Sequence, residues 1–490
     1  MHPTCSANVP VVRIVLGIDS STQSVKVQAH DLDTGALVGS GKGSHPATTP
    51  PCSEQDPKAW WDALVHATHE ATANVDHNDI VAMSVGGQQH GMVVTNSSNE
   101  PLHPGKLWND TESAPQAAEL VERLGATAWA EAVGSVPVAA FTITKLAWLA
   151  ESYPAKFDAF ARVSLPHDWL TTMLTDRHVT DRGDASGTGY WSPSDGQYRL
   201  DLLQLVGDRP WTDALPEVLA PFETVCNLTA RASHSLGLPE SVVVGPGTGD
   251  NMAAALGLGL RPGDVVISLG TSGTVYAVSA MPTADPSGCV AGFADASGHF
   301  LPLVCTLNAT KVSDTFARML GVTVEAFNDL ALRAPAGANG LTLIPYLDGE
   351  RTPNRPTATG SLSGIRNTTS PQDIARASIE GVVCGLLDGM DALSDIGVPT
   401  DGRLFLIGGG SRSAAYRQIV ADLTQREVLI PNADEHVATG AALQAAAVVT
   451  GQKSIDGIAA AWNLGGGQTI HPNGATDAAG VRAAYAAARG

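Results

Sequence analysis

The sequence predicts an α/β protein built from two similar domains around a cleft, and three observations carry that expectation. A pattern occurs twice: VVRIVLGIDSSTQSVKVQAHD, from Val11 to Asp31, and GDVVISLGTSGTVYAVSA, from Gly263 to Ala280, both read as strand, tight turn of Gly, Ser and Thr, and strand. At 490 residues the chain is too long for one ordinary core, so two domains of roughly 200 to 250 residues are expected. Each half then continues with further strands before helices and strands alternate, which marks an internal duplication. Setting Asp19 over Gly270 aligns the copies. A hairpin tip of small hydroxyl residues gathers backbone N–H groups and hydroxyls onto one anion, which suits a phosphate chain held between two halves.

In the first half, strands are expected over 11–18, 24–31 and 36–42, then a helix over 56–74 carrying Trp60 and Trp61, then the buried strand DIVAMSVGG. In the second half, strands are expected over 264–269, 274–280, 289–294 and 299–305, and a long helix over 372–396. The strand RLFLIG, a helix from Ser411, the strand EVLI and a helix from His436 to Val449 complete it. The implied division is an N-terminal domain over 11–255, interrupted by an insertion at 97–240, a C-terminal domain over 256–452, and a C-terminal tail over 453–490, of which the last 25 residues, Gly-rich then Ala-rich, look peripheral. The insertion carries Trp108, Trp129, Trp148, Trp169, Trp191 and Trp211, which fill the core of an inserted lobe or line a polar ligand's pocket.

A net charge of −20 without a Lys or Arg cluster argues against nucleic acid or an anionic membrane as the main partner. ATP remains compatible, because backbone amides and a divalent cation hold phosphates without a basic surface. The six cysteines show no C-x-x-C, so they are expected as buried small hydrophobes in a reducing cytoplasm rather than as a zinc site or disulfide framework. MHPTCSANVP lacks the basic start of a signal peptide, and no run approaches about 18 uninterrupted apolar residues.

Chemistry concentrates in a few segments. In GIDSSTQSVK, Asp19 ends an apolar strand, where a carboxylate suits a cation or its water, Mg²⁺ on a triphosphate above all; an ordinary hairpin is the plain alternative. SLGTSGT offers Gly270, Gly273, Thr271 and Ser272 at the second tip. In VVVGPGTGDNMAAALGLGL, no G-x-G-x-x-G is completed at the turn, and Asp250 falls where a helix begins. It is expected there as an N-cap, or as a carboxylate that the helix N-terminus keeps ionised and able to accept a proton. LIGGGSRS places Gly408, Gly409 and Gly410 between strand and helix, open to a flat or phosphorylated ligand, and Walker A is absent. SVGGQQHG ends a strand with Gln88, Gln89 and His90, and WNDTE supplies Asn109 and Asp110, which suit a polyhydroxylated substrate or cap the following helix.

These segments resemble the FGGY carbohydrate kinase family, within the actin-like ATPase (ribonuclease H-like) folds. GSLSGIRNTTSPQDIARASIEG, Gly360 to Gly381, fits the family's C-terminal signature, and TKLAWL at 144–149 partly fits the N-terminal one. The resemblance covers about Arg13 to Thr450. Within the family, SEQDPKAWWDAL, GGQQHG, LWND, GTGDN, SLGTSG, PYLDGERTP and IGGGSRS are similar to the branch that phosphorylates D-xylulose.

The resemblance implies a cytoplasmic, two-domain sugar kinase with ATP and Mg²⁺ in the cleft, the sugar on the N-terminal domain and ATP on the C-terminal one. It implies Asp250 as catalytic base and sugar contact, Gln89 and His90 on the ketose, and Asp19 at the phosphate and metal through water. Thr22 and Thr271 would lie beside the phosphates, with Gly409, Gly410 and Ser413 near the adenosine. The sugar and ATP are the expected partners, with nucleic acid and membrane excluded and a homodimer left open. Two positions depart from the branch: Gln89 stands where Met is common, and Glu112 where many relatives have Arg. Another sugar or polyol kinase of the fold, acting on ribulose, gluconate or glycerol, and a non-catalytic nucleotide-dependent binding protein remain the alternatives, with an NAD-dependent dehydrogenase far behind.

Overall fold

A computed structural model describes residues 12–490, and Cys5 lies outside them. The first half forms a seven-stranded sheet around β1 (Ile14–Ser20), β2 (Ser24–Asp31) and β3 (Leu37–Ser44). Helix α1 (Pro57–Thr72) leads to β4 (Ile80–Gly87). Further on come α2 (Thr142–Ser152), α3 (Pro166–Thr175), β5 (Val243–Val244) and α4 (Asp250–Gly257). The second sheet is also seven-stranded, with β6 (Val265–Leu269), β7 (Gly273–Ala277), β8 (Ala291–Ala294) and β9 (Phe300–Thr306). After α5 (Pro371–Asp395) follow β10 (Leu404–Ile407), α6 (Ala414–Thr424), β11 (Val428–Pro431), α7 (His436–Thr450), β12 (Gly467–Ile470) and α8 (Ala478–Arg489).

The two sheets repeat one plan. β1 is antiparallel to β2 and parallel to β4, which is parallel to β5; β6 is antiparallel to β7 and parallel to β10, which is parallel to β11. Each sheet ends in an antiparallel edge strand, Cys226–Asn227 on β5 and β12 on β11.

The register corrects the alignment of the copies. The last ladder pair of the first hairpin is Ser20 with Val25, and that of the second is Leu269 with Gly273. Asp19, one residue before its last pair, is therefore matched by Ser268 and not by Gly270. The first tip is one residue longer, which is why matching by eye slips.

Side-chain alternation settles what each strand faces. Ile14, Leu16 and Ile18 of β1 pack with Trp60 and Leu64 of α1 and with Trp169 of α3, whereas Val15 faces the opposite core. That second core is shared: it joins Val15 and Ala82 of the first sheet, Met252 and Leu256 of α4, Leu443 and Ala446 of α7, and Val266 and Phe405 of the second sheet. Gly17 and Asp19 point to this shared side.

Helix α7 lies in the second half but packs on β1, β4 and α4, so the division at 255 does not separate the packing. Its sequence, HVATGAALQAAAVVT, is small enough for backbone contact. A Cβ on Gly17 would run into the Ala438 carbonyl, one on Gly257 into that of His436, and one on Gly440 into that of Ala253.

Other expectations need correction. The helix expected from Ser411 begins at Ala414, because Ser413 caps it by accepting from the Tyr416 amide at 3.3 Å and Gly409–Arg412 form a short 3-10 turn. The C-terminal tail, its last 25 residues included, is not peripheral. Trp462 stacks on His30 and donates to the Leu32 carbonyl at 2.9 Å, β12 extends the second sheet, and Tyr485 of α8 is buried, reaching the Tyr346 hydroxyl at 3.4 Å. Of the described cysteines only Cys384 is buried; Cys52 is exposed. No helix among the described residues is long and apolar enough to cross a membrane.

The backbone contact between α4 and α7 yields a test. Gly440→Ala should lower stability by about 3 kcal/mol, at or beyond the upper end of ordinary overpacking because the obstacle is a carbonyl rather than a flexible side chain. Denaturant melts of the purified variant measure it.

Candidate active site

Parallel strands bring the predicted N-terminal site residues to one edge. β1 pairs with β4 so that Asp19 faces Gly86 and Ser20 faces Gly87, and the short strand Thr248–Gly249 meets the same two glycines from the other side. Gln88, Gln89 and His90 leave β4 immediately past this register, and Asp250 leaves its strand at the same level. All stand at the carboxyl ends of neighbouring strands, where open α/β sheets hold ligands.

Hydrogen bonds join these loops. Gln89 Oε1 accepts from Asn251 Nδ2 at 2.7 Å, and the same amide donates to Asp250 Oδ1 at 3.0 Å. Thr22 reaches Gln88 Oε1 at 3.4 Å, accepts at its own hydroxyl from Trp108 Nε1 at 3.0 Å, and through its carbonyl accepts from Gln55 Nε2 at 2.9 Å. Gln55 in turn takes the indole proton of Trp60 at 2.7 Å, so the sequence before α1 ties the first tip to the core. Trp108 is the exception among the inserted tryptophans: it is 43% exposed at this tip, while Trp129, Trp148, Trp169, Trp191 and Trp211 are buried.

Buried polar atoms are left over where a hydroxylated ligand would lie. Gln88 Nε2, Gln89 Nε2, His90 Nδ1 and Asp19 Oδ1 have no partner among the described residues. Such atoms are costly unless a ligand or water meets them. His90 adopts φ 64°, its ring lies 5.1 Å from Phe141 and 5.3 Å from Phe293 of the second half, and Gly187 passes too close to the ring to carry a Cβ. Burial, with the charges of Lys145 and Arg351, pushes the His90 imidazole down to about 3, so the ring is neutral.

Asp250 departs from the sequence reading in two ways. The cap is Gly249, and Asp250 is the first helical residue, its Oδ1 accepting from the Asn251 amide at 2.8 Å. Instead of being held ionised by the helix N-terminus, its carboxyl is pushed up to about 7, because burial and the charges of Asp19 and Asp184 outweigh the Asn251 hydrogen bonds. Asp19 is also pushed up to about 7, by burial first and against the pull of Lys26. Lys26 is its cross-strand neighbour and bonds Glu435 of the second half at 2.5 Å.

The second bank is backbone-built. Gly270 and Thr271 carbonyls accept from the Thr310 amide at 3.0 Å and the Ala309 amide at 3.1 Å. Gly409 opens onto free space, whereas Gly410 is small because Leu269 and Thr310 press on it. Ser413 spends its hydroxyl as the cap of α6. Glu350 is buried and accepts from the Leu307 amide at 2.6 Å and Asn308 Nδ2 at 2.9 Å, clamping PYLDGERTP beside the second tip.

Glu112 and Asp110 serve a different group. Both bind the fully buried Lys106 ammonium, at 2.7 and 3.0 Å, with Glu54 at 2.9 Å and the Trp148 ring 3.7 Å away. Cys52 borders the same carboxylates, whose centre Lys106 fills. Asp184, His167 and Asn251 adjoin the candidate residues and were not singled out by pattern; only Asn251, adjacent to Asp250, carried a local signal.

With this geometry in place, the family can be read. Residues 14–257 match the FGGY family of carbohydrate kinases, N-terminal domain, and residues 265–449 match its C-terminal domain. The chain belongs to the FGGY family of carbohydrate kinases. FGGY membership makes it an ATP-dependent sugar kinase of the duplicated actin-like ATPase fold. The chain is 46% identical over 458 residues to the xylulose kinase of Streptomyces rubiginosus, covering 93% of this chain and 92% of that one. It is 34% identical over 442 residues to the xylulose kinase of Haemophilus influenzae, covering 88% and 90%. The crystal structure of xylulose kinase from Bifidobacterium adolescentis superposes with a TM-score of 0.86 at 38% identity, over 98% of this chain and 100% of that one.

The Asp19 shift has a consequence for stability. Its folded pKa lies above the unfolded value of 3.8, so the native state is penalised as pH rises from about 4 through about 7 and bears the full penalty above. Asp19→Asn should therefore raise the stability of the Mg²⁺-free protein at pH 8 by about 2–4 kcal/mol and leave it nearly unchanged at pH 4. Thermal melts at the two pH values check this.

Proposed function

We propose that this kinase phosphorylates D-xylulose on its terminal primary hydroxyl, giving the 5-phosphate, with Asp250 as general base. The observation that carries the mechanism is a buried carboxylate pushed up to about 7, set among unpartnered Gln89 and His90 atoms and facing Asp19. The xylulose kinases of S. rubiginosus and B. adolescentis support the choice of sugar.

Asp250 orients the sugar hydroxyl and takes its proton as the oxygen–phosphorus bond forms and the bond to ADP breaks. A pKa near 7 makes it a better acceptor than an ordinary carboxylate, about half ionised at neutrality and ionised above it. Gln89 Nε2 donates to a sugar oxygen, and neutral His90 Nδ1 donates or accepts according to its tautomer. Thr22 and Thr271 flank the phosphates from opposite tips, and Gly409 leaves room for the adenosine. The partnerless Oδ1 of Asp19 fits a divalent cation or its bound water, so Asp19 would hold Mg²⁺, which neutralises phosphate charge when bound. Ser413 is placed near the nucleotide but acts first as a cap, and Gly410 acts first as a close-packing residue. We assign residues 11–255 and 256–452 as the sugar and nucleotide domains, with α7 of the latter packed into the former.

Asp250→Asn should lower kcat by about 10³-fold or more with the fold intact, since general-base assistance contributes about 10²–10⁴-fold; near-normal turnover would sink the assignment. At saturating Mg²⁺, log kcat/KM should rise with pH at unit slope and level off above the ordinary carboxylate range, because the base must be ionised and burial, the largest cause of its shift, persists once the metal takes up the Asp19 charge. An acid limb at the ordinary carboxylate value contradicts this. Asp19→Ala should lose activity or show a weakened Mg²⁺ dependence in a metal titration. A panel of D-xylulose, D-ribulose, gluconate and glycerol, read by ADP release, tests the sugar: a higher kcat/KM for any other member reassigns the substrate.

A further inference from the structure

Behind the sugar loop lies a buried charge cluster that the reaction as described does not use. His167, in the first turn of α3, has no exposed surface, and its Nε2 sits 3.2 Å from Asp168 Oδ1, 3.5 Å from Asp181 Oδ1 and 3.3 Å from Asp184 Oδ2. All three face one nitrogen, which carries a single proton whether the ring is neutral or charged, so charge rather than donor count is what answers them: three carboxylates within 3.5 Å of one ring atom favour the imidazolium. Burial opposes that charge, but the carboxylates outweigh it and hold the ring up at about 9.

His167 is wedged between the two glycine loops, its Cβ against Gly87 and its ring against Gly247. The backbone of Gly87, which precedes Gln88, and that of Gly247, which precedes Asp250 in GTGD, both lie too close to His167 to carry a Cβ. Two of the three carboxylates beside His167 reach those loops. Asp181 Oδ2 accepts from the Thr248 hydroxyl at 2.7 Å, two residues before Asp250. Asp184 Oδ1 accepts from the His90 amide at 3.4 Å. Asp168 accepts from the Leu165 amide at 2.8 Å and closes the start of α3.

We propose that His167, carried as an imidazolium, is a positioning residue for phosphoryl transfer: through Asp181 and Asp184 it holds in register the loops that present His90 and Asp250. The proposal rests on the reading of His90 as a sugar contact and Asp250 as the base. Without the cation, three carboxylates share one dry pocket and must protonate or move apart, and both loops shift with them.

Positioning through charge predicts rescue by another cation, which a purely space-filling role does not. Binding of D-xylulose without ATP, by calorimetry, and kcat should be compared for wild type, His167→Gln and His167→Lys. His167→Gln should weaken sugar binding and lower kcat by about tenfold or more each, in line with the up to ~100-fold cost of misplacing reacting groups by about 1 Å. His167→Lys should recover both to within about threefold, as expected if charge rather than shape is the agent.

A folded His167→Gln variant that binds and turns over normally overturns the proposal. So does His167→Lys as impaired as His167→Gln. If neither folds, Asp184→Asn decides, since it reduces the cluster's negative charge: weaker sugar binding supports the proposal, and unchanged binding overturns it. Sugar binding without ATP does not require Asp250 to accept a proton, so the calorimetry stays readable even if Asp250→Asn removes the base assignment.

Discussion

The site depends on one close contact, the crossing of α4 and α7 at backbone distance. Asp250 is the first residue of α4, and its position relative to Asp19 is set by how deeply α7 sits against β1 and α4 against α7. That depth is possible because Gly17, Gly257 and Gly440 meet the carbonyls of Ala438, His436 and Ala253 without side chains between them. Any Cβ there would lift α4 or α7 from the sheet and carry the base away from the strand ends. The same contact draws a helix of the second half into the first, so the two sheets share one core across the cleft. Such a core resists free separation of the halves and favours small closing motions about a fixed seam.

Electrostatics work against the empty site. Asp19, Asp184 and Asp250 are gathered in a chain already carrying −20, and each has its carboxyl raised. Evenly distributed Lys would relieve this, but Lys26 is engaged by Glu435 and Lys106 by three carboxylates. On the proposed assignment of a cation to Asp19, a metal–nucleotide complex would offset this repulsion by supplying positive charge there. Binding energy is drawn from relief of a penalty the fold maintains, the ordinary relation between strained sites and function.

Much of this was legible in residue order. The hairpins, the strand order of each half and the row Gln89, His90 and Asp250 follow from apolar runs ended by glycine. What escaped has physical causes. The hairpin register slipped because one tip is a residue longer than the other. The final segment read as a tail because its Gly and Ala content hides Trp462 and Tyr485, whose partners Leu32 and Tyr346 are remote in sequence. His167 and Asp184 carry no local pattern, since their meaning arises only when α3 and the loop after Val179 converge beneath the glycines. The elevated carboxyl of Asp250 was hidden for the same reason: burial is a property of the assembled site.

The corrected register sharpens what duplication accomplished. Asp19 and Ser268 occupy matched positions on matched strands, both on the side that faces the shared core. A carboxylate at both would place two like charges on one phosphate chain, repelling it unless two cations were bound. A hydroxyl at both would leave no anchor for a single one. On the proposed reading, one acid and one hydroxyl divide the work: the first copy would serve the cation, and the second, with its carbonyls already committed to Ala309 and Thr310, would turn amides and hydroxyls toward anionic oxygens. The proposed base, Asp250, then comes from elsewhere. It stands at the head of α4, the helix that joins the two copies, at the level where β1 and β4 both end.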